Sequence, residues 1–309
     1  MLAFVFPGQG SQAVGMGKAF HDASPAARAV FEQADAALGV PLTRVMFEGP
    51  ERELALTANT QPAVLTASVA AAAACAERGL TPALVAGHSL GEYSALVVAG
   101  ALQLADAVRV VRKRGELMQE AVPVGTGAMA AIMGLSLDAV EAVCRESAQG
   151  EVVEIANINS AAQIVIAGHA RAVERAVALA GQRGGKKSVL LPVSAPFHCA
   201  LMKPAADRLA AELRGVTVAA PRIPVVRNVD AGVTRSASDV VPLLLSQVAS
   251  PVRWTDCVAR LAAEGATTFV EVGPGRVLTA LTRRIVDGAR ALSVEDPASL
   301  DKTLAAVKA

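Results

Sequence analysis

The stretch that most constrains this chain is residues 83–97, where the apolar run Ala83-Leu84-Val85-Ala86 passes into Gly87-His88-Ser89-Leu90-Gly91 and then into the helix-like Tyr93-Ser94-Ala95-Leu96-Val97. A G-x-S-x-G between a strand and a helix predicts a nucleophile elbow, a sharp turn in which the two glycines leave room for the backbone and the serine stands at a helix N-terminus. A helix N-terminus favours a developing negative charge, so Ser89 is a candidate nucleophile in a site built for an oxyanion. The expected fold is α/β, a hydrolase-like core with a parallel sheet.

The rest of the chain fits around this element. Residues 2–6 read as a first strand, broken by Pro7-Gly8-Gln9-Gly10-Ser11-Gln12. In an open parallel sheet ligands sit beyond the carboxyl ends of the strands, so this loop and the Ser89 elbow are placed to converge. Gly8 and Gly10 lack the third glycine and the later acidic residue of a dinucleotide fingerprint. Helical periodicity covers residues 26–38, 62–76 and 105–121. On the last of these, Arg109, Arg112 and Lys113 read as a solvated face, whereas Arg114 shares a side with Leu117 and Met118. Between residues 125 and 193 the pattern becomes β-α-β-β-α-β, with strands at 127–133, 152–158, 163–167 and 187–193, a helix capped by Ser136, and a helix at 170–183. That is the split ferredoxin-like motif. The expected organisation is a large unit of residues 1–124 and 194–309 with a ferredoxin-like small domain, 125–193, inserted. Further on, a strand at 224–228, helices near 240–248 and 256–264, a strand at 267–272 opening on Gly273-Pro274-Gly275, a helix at 277–286 and a strand at 291–294 complete the reading.

Composition narrows the function. Across 309 residues, 29 Lys and Arg face 28 Asp and Glu, with no basic stripe interleaved with aromatics, so nucleic acid is not an expected partner. Cys75, Cys144, Cys199 and Cys257 show no C-x-x-C spacing and read as reduced thiols of a cytoplasmic protein, with no metal site. The stretch 62–76 is too short to span a bilayer, and the N-terminus lacks the charged region of a signal peptide, so no membrane association is expected.

A serine nucleophile needs a base, and the chain has only His21, His88, His169 and His198. His21 lies in a polar stretch, His169 opens a small-domain helix in a solvent-facing or capping position, and His88 precedes the serine and should point away from it. His198 remains, in a loop after Ser194-Ala195-Pro196-Phe197 and downstream of the serine. No Asp or Glu between Ser89 and His198 is placed to complete a triad, so a backbone carbonyl or an amide is expected to orient the imidazole.

Phe6-Pro7-Gly8-Gln9-Gly10-Ser11-Gln12, Thr60-Gln61-Pro62-Ala63, Gly87-His88-Ser89-Leu90-Gly91-Glu92, Arg114-Gly115-Glu116-Leu117-Met118, Phe197-His198 and Glu271-Val272-Gly273-Pro274-Gly275 together resemble the malonyl-CoA:acyl carrier protein transacylase family, in order over nearly the whole chain. The resemblance implies a Ser-His dyad of Ser89 and His198, with His198 oriented by the main-chain carbonyl of Gln247. It implies an oxyanion hole from the N–H groups of Gln9 and Leu90, and Arg114 as the holder of the malonyl carboxylate, a task suited to a planar guanidinium. A phenylalanine at Phe197 goes, in related domains, with malonyl over methylmalonyl. The implied activity is transfer of malonyl from malonyl-CoA to the phosphopantetheine thiol of acyl carrier protein for fatty acid synthesis, by a monomer without a cofactor. A malonyl transferase of a polyketide or malonate-processing complex and a serine thioesterase are the alternatives.

Overall fold

The computed structural model describes residues 1–308. Ten strands run in chain order as β1 (Leu2–Phe6), β2 (Leu84–Gly87), β3 (Gly127–Met133), β4 (Val153–Ser160), β5 (Gln163–His169), β6 (Lys187–Leu190), β7 (Val225–Val226), β8 (Val233–Thr234), β9 (Thr268–Val272) and β10 (Arg290–Val294). Six of them form one sheet in the order β10-β9-β1-β2-β7-β8. Every neighbouring pair in it is parallel except β7 with β8.

The central strands are apolar on both faces, as a parallel sheet covered on both sides requires. Phe4, Phe6 and Val85 face one core, packed with the long Thr57–Glu77 helix. Ala3, Val5, Leu84 and Ala86 face another, against Trp254, Val258 and Leu261 of the Trp254–Ala263 helix. In the register between the two central strands, Phe6 lies opposite Gly87. The first loop and the serine elbow therefore leave the sheet side by side.

The other four strands form an antiparallel sheet, β4-β5-β3-β6, with the helices Leu137–Ala148 and Ala170–Gln182 inserted in the β-α-β-β-α-β order. Alternation along β3 gives this sheet two different faces. Ala130 and Ile132 pack with Val140, Val143, Val173 and Ala176 of those helices. Met129 and Ala131 turn the other way and merge with the core of the large sheet.

Several elements differ from their sequence-based limits for local reasons. The long helix begins at Thr57, upstream of Pro62, because the Thr60 hydroxyl and the Asn59 amide bond the carbonyls of Leu54 and Glu53 and hold its first turn. β6 stops at Leu190, and residues 191–193 leave the sheet to line a cavity. The helices Leu42–Glu48 and Glu51–Leu54 and the C-terminal Pro297–Lys308 helix lie outside the periodic segments read from the sequence. Among the described residues, no helix is long and apolar enough to cross a membrane. None holds a cluster of three or more His, Cys, Asp or Glu side chains suited to a metal ion.

Candidate active site

Gly87 and Gly91 are dictated by contact. A Cβ on Gly87 would lie 1.9 Å from the Gly91 carbonyl carbon, and one on Gly91 would lie 2.1 Å from the Phe6 carbonyl oxygen. Between them Ser89 adopts a left-handed backbone, φ 51°, which costs energy for a residue with a Cβ and is held by its surroundings. Its N–H donates to Asn228 Oδ1 at 2.7 Å, and Asn228 Nδ2 donates to the Gly87 carbonyl at 2.7 Å. Asn228 thus clamps the elbow from the turn after β7. The Gly91–Val98 helix follows directly.

Ser89 Oγ sits 2.6 Å from His198 Nε2, and His198 Nδ1 sits 2.9 Å from the carbonyl oxygen of Gln247. A carbonyl only accepts, so Nδ1 carries the proton and Nε2 presents its lone pair to the serine hydroxyl. Burial, followed by the positive charge of Arg114, lowers the imidazole to about 3, so it is neutral at physiological pH. His198 also has a left-handed backbone, φ 61°. The other three histidines are engaged elsewhere. His88 Nε2 pairs with Asn159 Oδ1 at 2.9 Å. His21 pairs with Asp22 and packs edge-on against Phe31 and Phe47, so its stretch is less polar in space than in sequence. His169 stands at the N-cap of the Ala170–Gln182 helix without a side-chain capping bond; its Nδ1 accepts from the Val152 N–H at 2.9 Å and ties the ends of β4 and β5 together.

Arg114 is buried, with 2% of its surface exposed, although it belongs to the Leu104–Glu120 helix whose other cations are solvated. Nη1 donates to Gln61 Oε1 at 2.8 Å, Nη2 to Gln247 Oε1 at 3.0 Å, and the same Nη2 is 3.2 Å from Ser89 Oγ. The Tyr93 ring lies beneath the guanidinium, 5.6 Å from Cζ to centroid. By contrast Arg109 pairs with Asp106, and Arg112 and Lys113 pair with Glu116 at the surface.

These groups open into a cavity of about 490 Å³ between the two sheets. Gln9, Leu90, Arg114, Phe197 and His198 line it beside Ser89, with Met129, Asn157 and Leu191 contributed by the small unit. The Ser89 N–H is spent on Asn228, whereas the Gln9 and Leu90 N–H groups have no protein acceptor among the described residues. The Gly273-Pro274-Gly275 junction does not line the cavity. There Glu271 accepts from the N–H groups of Leu278 and Thr279, anchoring the start of the Val277–Ile285 helix.

Sequence reasoning assigned no role to Glu92, Asn228 or Gln61. Glu92 is only 3% exposed, and its Oε2 accepts from the Asn228 N–H at 3.1 Å and from Gln247 Nε2 at 2.9 Å. Burial raises its carboxyl to about 7. The only charged residue in the Gly91–Val98 helix was the available signal. Nothing local marks Asn228, which reaches the elbow across 139 residues of chain.

The acyl transferase domain family matches residues 3–300. A Salmonella typhimurium protein named malonyl CoA-acyl carrier protein transacylase is 52% identical over 304 residues, covering 98% of each chain. An acyl carrier protein S-malonyltransferase from Vibrio cholerae superposes with a TM-score of 0.95 at 49% identity, covering 98% of this chain and 99% of that one. A malonyl-transacylase solved in complex with a type II PKS acyl-carrier protein gives a TM-score of 0.96 at 48% identity, covering 99% of both.

Proposed function

Because this chain belongs to the acyl transferase domain family, among the malonyl CoA-acyl carrier protein transacylases, we propose that Ser89 carries the malonyl group between the two thiols of that reaction. The enzyme is an [acyl-carrier-protein] S-malonyltransferase, which moves malonyl from malonyl-CoA to the phosphopantetheine thiol of acyl carrier protein and so supplies fatty acid synthesis. Neutral His198 takes the Ser89 proton on Nε2 as Oγ bonds to the thioester carbonyl carbon. Gln247 O keeps the imidazole in the tautomer that can do so. The oxyanion is received by the free N–H groups of Gln9 and Leu90. Collapse breaks the C–S bond, and the departing CoA thiolate takes the proton from Nε2. The carrier thiol then gives its proton to His198 and attacks the ester, and Ser89 leaves with that proton restored.

The observation that carries this reading is the Arg114 guanidinium, buried and 3.2 Å from Ser89 Oγ. A thioesterase for uncharged acyl groups has no use for a buried cation there, whereas a malonyl ester presents a free carboxylate that a guanidinium grips with two parallel bonds. Held in this way, the acyl group is recognised and kept in place until a thiol arrives. All the residues in this scheme lie on one chain, in keeping with a monomer, and four buried, unpaired cysteines suit a reducing cytoplasm. Phe197 borders the space beside the substrate α-carbon.

Intact-mass measurement tests the scheme. Malonyl-CoA should add one malonyl group to the parent protein, and carrier protein should then remove it faster than water does. Ser89→Ala should gain nothing, and a malonylated Ser89→Ala protein, or release that carrier protein does not accelerate, would refute the scheme. Because one similar enzyme was solved with a polyketide carrier, fatty acid and polyketide carriers should be compared as acceptors.

A further inference from the structure

In the scheme above Gln247 acts through its main-chain carbonyl alone, yet its fully buried side chain is tied to three parts of the site. Oε1 accepts from Arg114 Nη2 at 3.0 Å. Nε2 lies 2.9 Å from the Ser89 carbonyl oxygen, 2.9 Å from Glu92 Oε2 and 3.4 Å from Asn228 Oδ1. A primary amide has a donor end and an acceptor end, so these partners admit one orientation. Turned over, the amide would aim N–H at the guanidinium N–H and its oxygen at three other oxygens. Glu92 Oε2 is one of those three oxygens, and it is fixed in turn by the Asn228 N–H at 3.1 Å.

We propose that the Gln247 side chain is a positioning residue for Arg114, and that Glu92 acts through it by fixing the direction of the amide. A single residue then sets two distances at once. Its carbonyl holds the base that activates Ser89, and its side chain holds the cation that receives the substrate carboxylate. Orienting partners of this kind act on geometry without touching the substrate. The inference rests on the malonyl-transfer reading, in which Arg114 meets that carboxylate.

Substitution of the side chain leaves the main-chain carbonyl in place, which separates the two functions of Gln247. The measurement is kcat and KM for transfer to a carrier protein from malonyl-CoA and from acetyl-CoA, with thermal melting to check folding. Gln247→Met keeps the length of the side chain and removes its acceptor. It should lower the malonyl-to-acetyl ratio of kcat/KM about 10- to 100-fold, as expected when a buried charged donor loses its partner. Glu92→Leu should shift the ratio in the same direction, and Glu92→Gln, which retains an oxygen acceptor, should recover most of it. The double variant Glu92→Leu with Gln247→Met should lose no more than Gln247→Met alone, because both act through one amide. An unchanged ratio in a folded Gln247→Met protein, or equal losses on both substrates, overturns the proposal, as does multiplication of the two effects in the double variant. Arg114→Ala, run alongside, distinguishes the two levels of failure. A ratio unmoved by Arg114→Ala refutes the carboxylate-binding reading itself, whereas one moved by Arg114→Ala but not by Gln247→Met refutes only the positioning step.

Discussion

His198 shows how far one residue's chemistry depends on its neighbours. Its imidazole is lowered to about 3 first by burial and next by the charge of Arg114. In the proposed scheme His198 works as an unprotonated base, so lowering its pKa extends activity toward acid. Expressed as kcat/KM, which reports the free enzyme, activity should hold down to about pH 5, where an ordinary imidazole near 6.5 would already be mostly protonated. If Arg114 receives the malonyl carboxylate as proposed, bound malonyl offsets the Arg114 charge, the imidazole rises, and the acid limb of kcat moves to higher pH than that of kcat/KM. Acetyl-CoA has no carboxylate and should show no such separation. Profiles of both substrates check this, and coincident limbs with malonyl-CoA would mean that the Arg114 charge does not govern the base. Phe197, buried on the cavity wall, is proposed to act on substrate choice instead. Parental kcat/KM should favour malonyl-CoA over methylmalonyl-CoA, and Phe197→Ala should shrink that preference by about 10-fold or more, since one methyl group is worth about 1 to 3 kcal/mol in a shaped pocket. Equal kcat/KM for the two substrates in the parent would dismiss the idea. At this scale the sequence is readable where a residue's role follows from its own motif, as for Ser89. Arg114 shares a helix with three solvated cations, and only its i+3 and i+4 apolar neighbours hinted that it turns inward.

The elbow is a property of an element, and its glycines are fixed by backbone, which cannot step aside. The added Cβ of Gly91→Ala would meet the Phe6 carbonyl oxygen at 2.1 Å, forcing β1 away from the elbow. The expected loss is at least about 3 kcal/mol, at the upper end for overpacking because the contact is not with a flexible side chain. Gly181→Ala is the contrast. Nothing lies within 4 Å of its added Cβ and it sits in the Ala170–Gln182 helix, so it should gain about 0.5 to 1 kcal/mol. Urea unfolding of the two variants decides, and similar effects at both positions would contradict the steric account. Elements with long periodicity were legible for the same local reason. The Leu42–Glu48 and Glu51–Leu54 helices were not, because 7 and 4 residues are too few for a period to emerge. The Pro297–Lys308 helix did leave a signal, Asp296 before a proline, with the Asp296 carboxylate accepting from the Ser299 N–H at 2.7 Å.

On the scale of the whole molecule, the question is whether the inserted β-α-β-β-α-β unit folds as a separate body. The strand pattern is legible from residue 127 onward, but a pattern does not reveal what covers the far face of a sheet. In the structure that face is shared, because Met129 and Ala131 belong to the same core as Phe4 and Phe6. Backbone bonds reinforce the join: Val252 N–H donates to Ala156 O at 2.9 Å and Ile158 N–H donates to Val252 O at 2.9 Å, shortly after Gln247 in the chain. A unit stitched along a common core and a common strand edge should unfold with the rest, and the cavity between the sheets should then be rigid. Trp254, the one tryptophan, is wholly buried in the core of the large unit and tilted against His88 at 5.5 Å, next to the join where Thr255 Oγ1 donates to the Ile158 carbonyl at 3.0 Å, so its fluorescence follows that core and its edge on the small unit. Ile132 lies on the opposite face of β3, in the small unit's own core. Ile132→Ala should cost about 2 to 5 kcal/mol, and with one cooperative body it should shift the fluorescence transition as far as the far-UV circular dichroism transition. If the tryptophan transition stays in place while part of the dichroism melts early, the small unit is an independent domain and the two walls of the active site are free to move against each other.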